Sequence, residues 1–387
     1  MRPDASNVAA PSRMRLDHVD GLRALAALIV YVNHAYAQVW NLKLVPPPSL
    51  AFARWSLVAG HLSVTVFIVL SGFCLTLPVL AQGGELRGGV SGFLKRRARR
   101  ILPPYYAALA ISLLLIWTVI GEPTGTLWDV PLLVTPTSIL VHLALLQDLF
   151  ATGHINYVFW SIAVEWQIYF AVPLLVLAWR RYGAWKVVLG ALVIGYALRF
   201  GFSETRLVRA HPQFLGMFAL GMLAAYVARS PEPHFVKLRD AVPWTLLTGF
   251  ALAFALALAA FWGIDVSHER FHWLDLPVGA MTLCCLIATS KPLESRLTRV
   301  LSFRPLVIIG TFSYSLYLIH APLLQIMWQY ALHPLGLGDA AIFSYLMTLG
   351  LVAVLCVSYG FHRLFEFPFM RSPKPAASST PTPIMAP

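Results

Sequence analysis

An all-α protein that crosses a membrane about ten times is the fold class this sequence predicts, and three observations predict it. Hydrophobic residues make up 58% of the 387 and charged residues only 12%, with a mean hydropathy of +0.70; a soluble domain carries about 25% charged residues. Apolar runs long enough to cross a bilayer recur along the chain. The basic residues, which set the net charge at +12, gather in short segments between those runs. That placement favours membrane orientation and contact with anionic head groups or a phosphorylated substrate over nucleic acid, for which no motif is present.

The segments read in order as follows. Residues 1–20 are polar and lack a signal-peptide core, so the first apolar helix is expected to be retained, behind a cytoplasmic N-terminal segment. Candidate spans follow at 21–40, 56–80, 101–121, 157–179, 184–200, 214–228, 243–263, 274–290, 305–328 and 341–363. The run 138–150 has only thirteen residues, the length of a re-entrant or interfacial segment. The positive-inside rule decides its status. If it does not cross and both termini are cytoplasmic, the inner segments hold twenty-one of the twenty-nine Lys and Arg residues and the outer loops five. A crossing there would invert the later basic clusters. The four cysteines lie in apolar runs without CxxC spacing, so neither a disulfide framework nor a zinc site is expected. Residues 371–387 form a Pro/Ser-rich, disordered cytoplasmic tail, and with no internal repeat 21–370 reads as one membrane domain.

Four stretches carry polar residues whose place in apolar helices needs a reason. In GLRALAALIVYVNHA, Arg23 and His34 are eleven residues apart; that separation returns to within roughly 20° of one helix face, about 16 Å further along. Arg23 would lie near the inner surface, suited to a phosphate or acidic group from the cytosol, and His34 in the outer half, suited to general-base work. The plainer account makes Arg23 an interfacial residue and His34 an interhelical donor. In FLKRRARRILPPYY, five basic residues precede the third span; most are topology anchors, but Arg97 and Arg100 share a face and could clamp a diphosphate. In NYVFWSIAVEWQIYF, Glu165 sits at a depth close to that expected for His34, where it would orient the imidazole, unless it pairs with another donor. In GTFSYSLYLIHAPL, Ser313, Tyr317 and His320 make a polar stripe, equally readable as packing hydroxyls. His61, Ser71 and Gly72 invite the same caution, with Gly72 placed to let helices approach closely.

GLRALAALIVYVNHA, FIVLSGFCLT, RRARRILPPYY, WSIAVEWQIYF and FSYSLYLIHAPL occur in that order, and together they resemble the membrane acyltransferase-3 family from residue 16 to about 370. These enzymes O-acylate bacterial surface polysaccharides or secondary metabolites. The family's arginine–ten residues–histidine pattern falls on Arg23 and His34, its paired arginines on Arg97 and Arg100, and its WS-x-x-x-E glutamate on Glu165. The resemblance implies an acyl-CoA co-substrate, most often acetyl-CoA, and a hydroxyl acceptor on a sugar, lipid-linked glycan or glycoside, in the bacterial inner membrane with no bound cofactor. Some members append a soluble hydrolase-like domain; this short tail makes substrates that need one less expected.

The expected scheme places acyl-CoA phosphates on Arg97 and Arg100, Arg23 at the pantetheine entrance, His34 as general base and Glu165 behind it. Ser313, Tyr317 and His320 would line the substrate path, and an acyl-enzyme on Ser313 or a histidine is the alternative route. No metal is called for. A multi-span transporter of a small polar or anionic solute is the competing class, and a haem protein using His34, His61 or His320 a third.

Overall fold

Inside hydrocarbon every backbone N–H and C=O must find its partner within the segment, so long apolar runs fold as helices. The computed structural model describes residues 16–40, 46–150, 155–291 and 295–370, and among these it is helical with no strand. The expected segment 1–20 lies mostly, and the tail 371–387 wholly, outside the described residues. Asp17–Trp40 (α1) and Ser56–Leu80 (α2) are followed by Gly89–Thr118 (α3) and the short Pro136–Leu143 (α4) and Gln147–Phe150 (α5). Phe159–Tyr182 (α6), Ala184–Gly201 (α7), Phe214–Arg229 (α8), Pro233–Ala241 (α9), Trp244–Glu269 (α10) and Phe271–Thr289 (α11) continue the chain. Arg296–Leu301 (α12), Arg304–Thr311 (α13), Ser313–Ile326 (α14), Asp339–Tyr345 (α15), Leu351–Phe361 (α16) and Phe367–Met370 (α17) complete it.

The protein is an all-α polytopic membrane protein. Among the described residues eight helices are long and apolar enough to cross a bilayer, nine with one bent pair. The remaining expected span is α1. Its 24 residues would rise about 36 Å, but Asp17, Asp20, Arg23, Asn33, His34 and Gln38 keep it out of the purely apolar class. Such a helix belongs in the middle of a bundle, and α1 packs against α2, α13 and α14. Its acidic first turn, Asp17 and Asp20, complements the positive end of the helix dipole. By contrast α10 presents Leu246, Phe250, Leu256 and Phe261 outward, the surface of a helix solvated by lipid.

Two segments differ from a simple reading of the runs. The stretch 138–150 forms α4 and α5, interrupted at Leu145 with φ +53°; neither helix is long enough to cross. The stretch 305–328 is not one helix: α13 and the segment from Ser313 meet at 75°, because Phe312 at φ −122°, ψ 18° leaves helical geometry.

The α2–α8 seam shows how the core closes without polar glue. A Cβ on Gly72 would stand 2.1 Å from the carbonyl oxygen of Phe218, and one on Gly221 would stand 2.0 Å from that of Val69. Reciprocal glycines thus bring two backbones together, and dispersion between them supplies the attraction that lipid cannot. At one end of the bundle, Arg180 at the close of α6 pairs with Glu85 in the α2–α3 turn at 3.1 Å. Most of the basic loops lie at this end, the basic end below; α1 and α3 run from it toward the far end.

Candidate active site

A cavity of about 230 Å³ opens among α1, α2, α3, α6 and the α13–α14 bend at the basic end. Arg23, Arg97 and Arg100 line it, as do Glu165, Ser313 and Tyr317. Of the five basic residues before the third span, Lys95, Arg96 and Arg99 are exposed while Arg97 and Arg100 turn inward. Three carboxylates share the space, and each has a hydrogen-bond partner. Asp20 holds Arg23 at 2.9 Å, Glu165 accepts from the Tyr169 hydroxyl at 2.6 Å, and Glu366 accepts from Ser315 at 2.6 Å and His362 at 2.9 Å. Arg97 and Arg100 are in no ion pair among the described residues, so their guanidinium forks are left for an incoming anion. The break at Phe312 adds to this. It starts α14 at the cavity wall, and the first-turn N–H groups of a helix have no intrahelical acceptor. Arg23 also donates to the Cys74 thiol at 3.1 Å.

His34 is not among the residues that line the cavity, whereas Phe67, Ser161 and Tyr317 are, the last two hydrogen-bonded to each other at 2.6 Å. One turn above Tyr317 comes His320, fully enclosed, and its Nε2 meets Nδ1 of His34 at 2.7 Å with the rings stacked at 5.0 Å. The network assigns the protons. Nδ1 of His320 faces two acceptors, the carbonyls of Leu316 at 3.0 Å and Tyr317 at 2.9 Å, so it carries the hydrogen. In the neutral ring Nε2 of His320 is then an acceptor, and Nδ1 of His34 must donate to it. His34 is left with an unprotonated Nε2. The ring edge of Tyr157 packs on His34 at 4.9 Å.

Glu165 is not beside His34. A shared depth for the two residues requires the Glu165 helix to start at the outer surface. Gln147, Asp148, Ile155 and Asn156 are instead buried, Asn156 donating to the Leu318 carbonyl at 3.2 Å, so α6 begins already deep in the bundle. Glu165 is carried down to the arginines, and His320 takes the place beside His34. Ser313 donates to the Gly310 carbonyl at 3.0 Å, an occupation that belongs to the helix bend. His61 stands 3.7 Å from Asp275 and packs on Phe271, while Ser71 lines the cavity. Tyr157, Ser161, Tyr169 and Glu366 went unnoticed in the sequence. Glu366 had a readable signal, a lone carboxylate among the aromatic residues of LFEFPF.

An acyltransferase domain model matches residues 16–363. The chain belongs to the acyltransferase-3 family. Within that family it is 25% identical over 349 residues to the peptidoglycan O-acetyltransferase OatA of Listeria monocytogenes, covering 81% of this chain and 50% of the relative. It is 23% identical over 365 residues to the O-acetyltransferase OatA of Staphylococcus aureus, covering 89% and 56%. It is 25% identical over 325 residues to the putative peptidoglycan O-acetyltransferase YrhL of Bacillus subtilis, covering 79% and 48%. The chain spans about half the length of the curated relatives it matches. No solved structure matches it. For an acyltransferase-3 protein the division of the site is informative. A cavity lined by three arginines and three carboxylates lies at one end, a histidine pair lies outside its lining, and α1 contributes to both through Arg23 and His34.

Proposed function

We propose that this protein is a membrane O-acetyltransferase that moves an acetyl group from acyl-CoA, entering at the basic end, to a glycan hydroxyl at the far end. The positive-inside rule supports setting the basic end, and with it both termini, on the cytoplasmic side, and the reading takes the membrane to be the cell's inner membrane. Arg97, Arg100 and the first turn of α14 receive the phosphates of the donor, and Arg23, fixed by Asp20, stands further in where the pantetheine would pass. Glu165 and Tyr169 belong to this donor side. Parting of the Tyr317–Ser161 bond would bring the thioester up to His34.

The observation that carries the reading is the His34–His320 bond, whose surrounding hydrogen bonds assign the His34 tautomer. As the acceptor oxygen attacks the thioester carbonyl, His34 Nε2 takes its proton, and His320 supports the resulting imidazolium through the Nδ1 bond. Collapse of the tetrahedral intermediate breaks the C–S bond, and the departing thiolate takes the proton back from His34. The acceptor gains the acetyl group and free thiol is released, with no net proton change. The names of the relatives favour a glycan acceptor such as peptidoglycan. Purified protein in vesicles, given acetyl-CoA and a glycan, should release thiol and form acetylated glycan in equal amounts, and His34→Ala should do neither. Full turnover by that variant would end the proposal.

A further inference from the structure

One turn beyond the histidine pair the same two helices meet again. Nε2 of Gln38 donates to Oε1 of Gln325 at 2.7 Å, and both side chains are almost wholly buried, at 2% and 0% exposure. Two amides in the interior of a membrane protein need a full set of partners. Gln325 has them: its Oε1 also accepts from Thr126 at 2.9 Å, and its Nε2 donates to Thr124 at 3.1 Å and Gln329 at 3.1 Å. Gln38 does not. Its Oε1 is enclosed with no hydrogen-bond partner among the described residues. An unsatisfied buried carbonyl is destabilising, and this one sits about 6 Å along the helix from His34.

The network runs outward from Gln38 to the partly exposed Thr124, Gln329 and Asp129, in and beside the loop that follows the far end of α3. Its groups are amides and hydroxyls, with one carboxylate at the outer limit, Asp129, already held by the Thr124 and Gly125 backbone N–H groups at 2.8 and 2.7 Å. Nothing in that set attracts an anion, whereas uncharged donors and acceptors in alternation match the hydroxyls of a sugar. We infer that Gln38 and Gln325, with Thr126, form the acceptor subsite and select a neutral, polyhydroxylated sugar ring, one of whose hydroxyls donates to Gln38 Oε1. That carbonyl stands one helical turn from His34, a spacing that two groups of one sugar ring can bridge. This deepens the transfer reaction proposed above and rests on it.

The test uses the full chain in vesicles with acetyl-CoA and two probe glycans, a neutral tetramer of β-1,4-linked N-acetylglucosamine and an anionic tetramer of galacturonic acid. Wild type should acetylate the neutral tetramer in preference. Gln38→Leu and Gln325→Leu should raise the KM for that tetramer roughly tenfold or more, while the KM for acetyl-CoA stays in place. Should the leucine variants fail to fold, Thr126→Val removes a hydroxyl from the same network at nearly constant volume and carries the same expectation. Preference for the anionic tetramer, an unchanged neutral-glycan KM, or thiol release with neither glycan acetylated would each overturn the subsite. A wild type that releases no thiol from acetyl-CoA would instead remove the transfer reaction itself.

Discussion

Replacing His320 by alanine deletes the acceptor for the Nδ1 proton of His34 and touches nothing that would hold the donor. The 2.7 Å bond lies in an enclosed site, where losing one partner of a buried hydrogen bond costs about 1–3 kcal/mol. If that loss falls on the transition state, where the His34 ring is charged, kcat should drop by roughly 5- to 150-fold. His34→Ala removes the base we propose and should lower kcat by about 10²–10⁴-fold. The two effects should not add, because His320 acts through His34. In the double variant the alanine at 320 has no imidazole left to misplace, so kcat should match that of His34→Ala alone. Gln at 320 can still present a side-chain oxygen near the old Nε2 position, so His320→Gln should recover part of the loss and His320→Asn should not. The assay is steady-state acetyl transfer with thiol release followed continuously, on protein shown by thermal midpoint to be folded. Additive losses in the double variant would refute the pairing, and so would equal activity of the Gln and Asn variants.

Arg97→Ala with Arg100→Ala should raise the KM for acetyl-CoA roughly tenfold or more and leave the acceptor KM unaltered, measured by varying each substrate in turn. Glu165→Gln leaves Tyr169 with a neutral acceptor in the donor cavity; the change should appear in the donor KM, and an altered pH profile of kcat would reinstate Glu165 as the companion of His34. Tyr317→Phe breaks the bond to Ser161 in the cavity lining, and cysteine introduced at position 34 should then react faster with a thiol reagent added at the basic end. Gly72→Ala puts a methyl group into the Phe218 carbonyl and should destabilise by about 1–3 kcal/mol or more. Gly190→Ala, with nothing within 4 Å, serves as the control and should hold or raise the thermal midpoint.

The all-helical, many-span architecture and the identity of the polar residues were legible because both follow from local composition. A run of twenty apolar residues in a bilayer folds as helix, straight or broken, and a charge inside it stands out. Neighbours were not legible. Glu165 and His34 came out at one depth only on the assumption that α6 starts at a surface, and the buried loop carrying Asn156 removed it. The bend at Phe312 was equally hidden, for an apolar run has no mark at a residue that leaves helical geometry under tertiary packing. Gln38 and Gln325 are ordinary letters in the sequence; burial against each other, not residue type, makes them conspicuous. The RxxR spacing fared differently: period alone placed Arg97 and Arg100 on one face, and both do line the cavity.

The hydrogen bond between Ser161 and Tyr317 bears on a hazard faced by any chain with polar groups at both faces of an energised bilayer. Water threading continuously from the arginines to the glutamines would let protons leak down the electrochemical gradient. Under the transfer we propose, a phenol and a hydroxyl bonded together beneath a histidine pair would interrupt that thread of water, so that acetyl groups could pass while the membrane keeps its voltage.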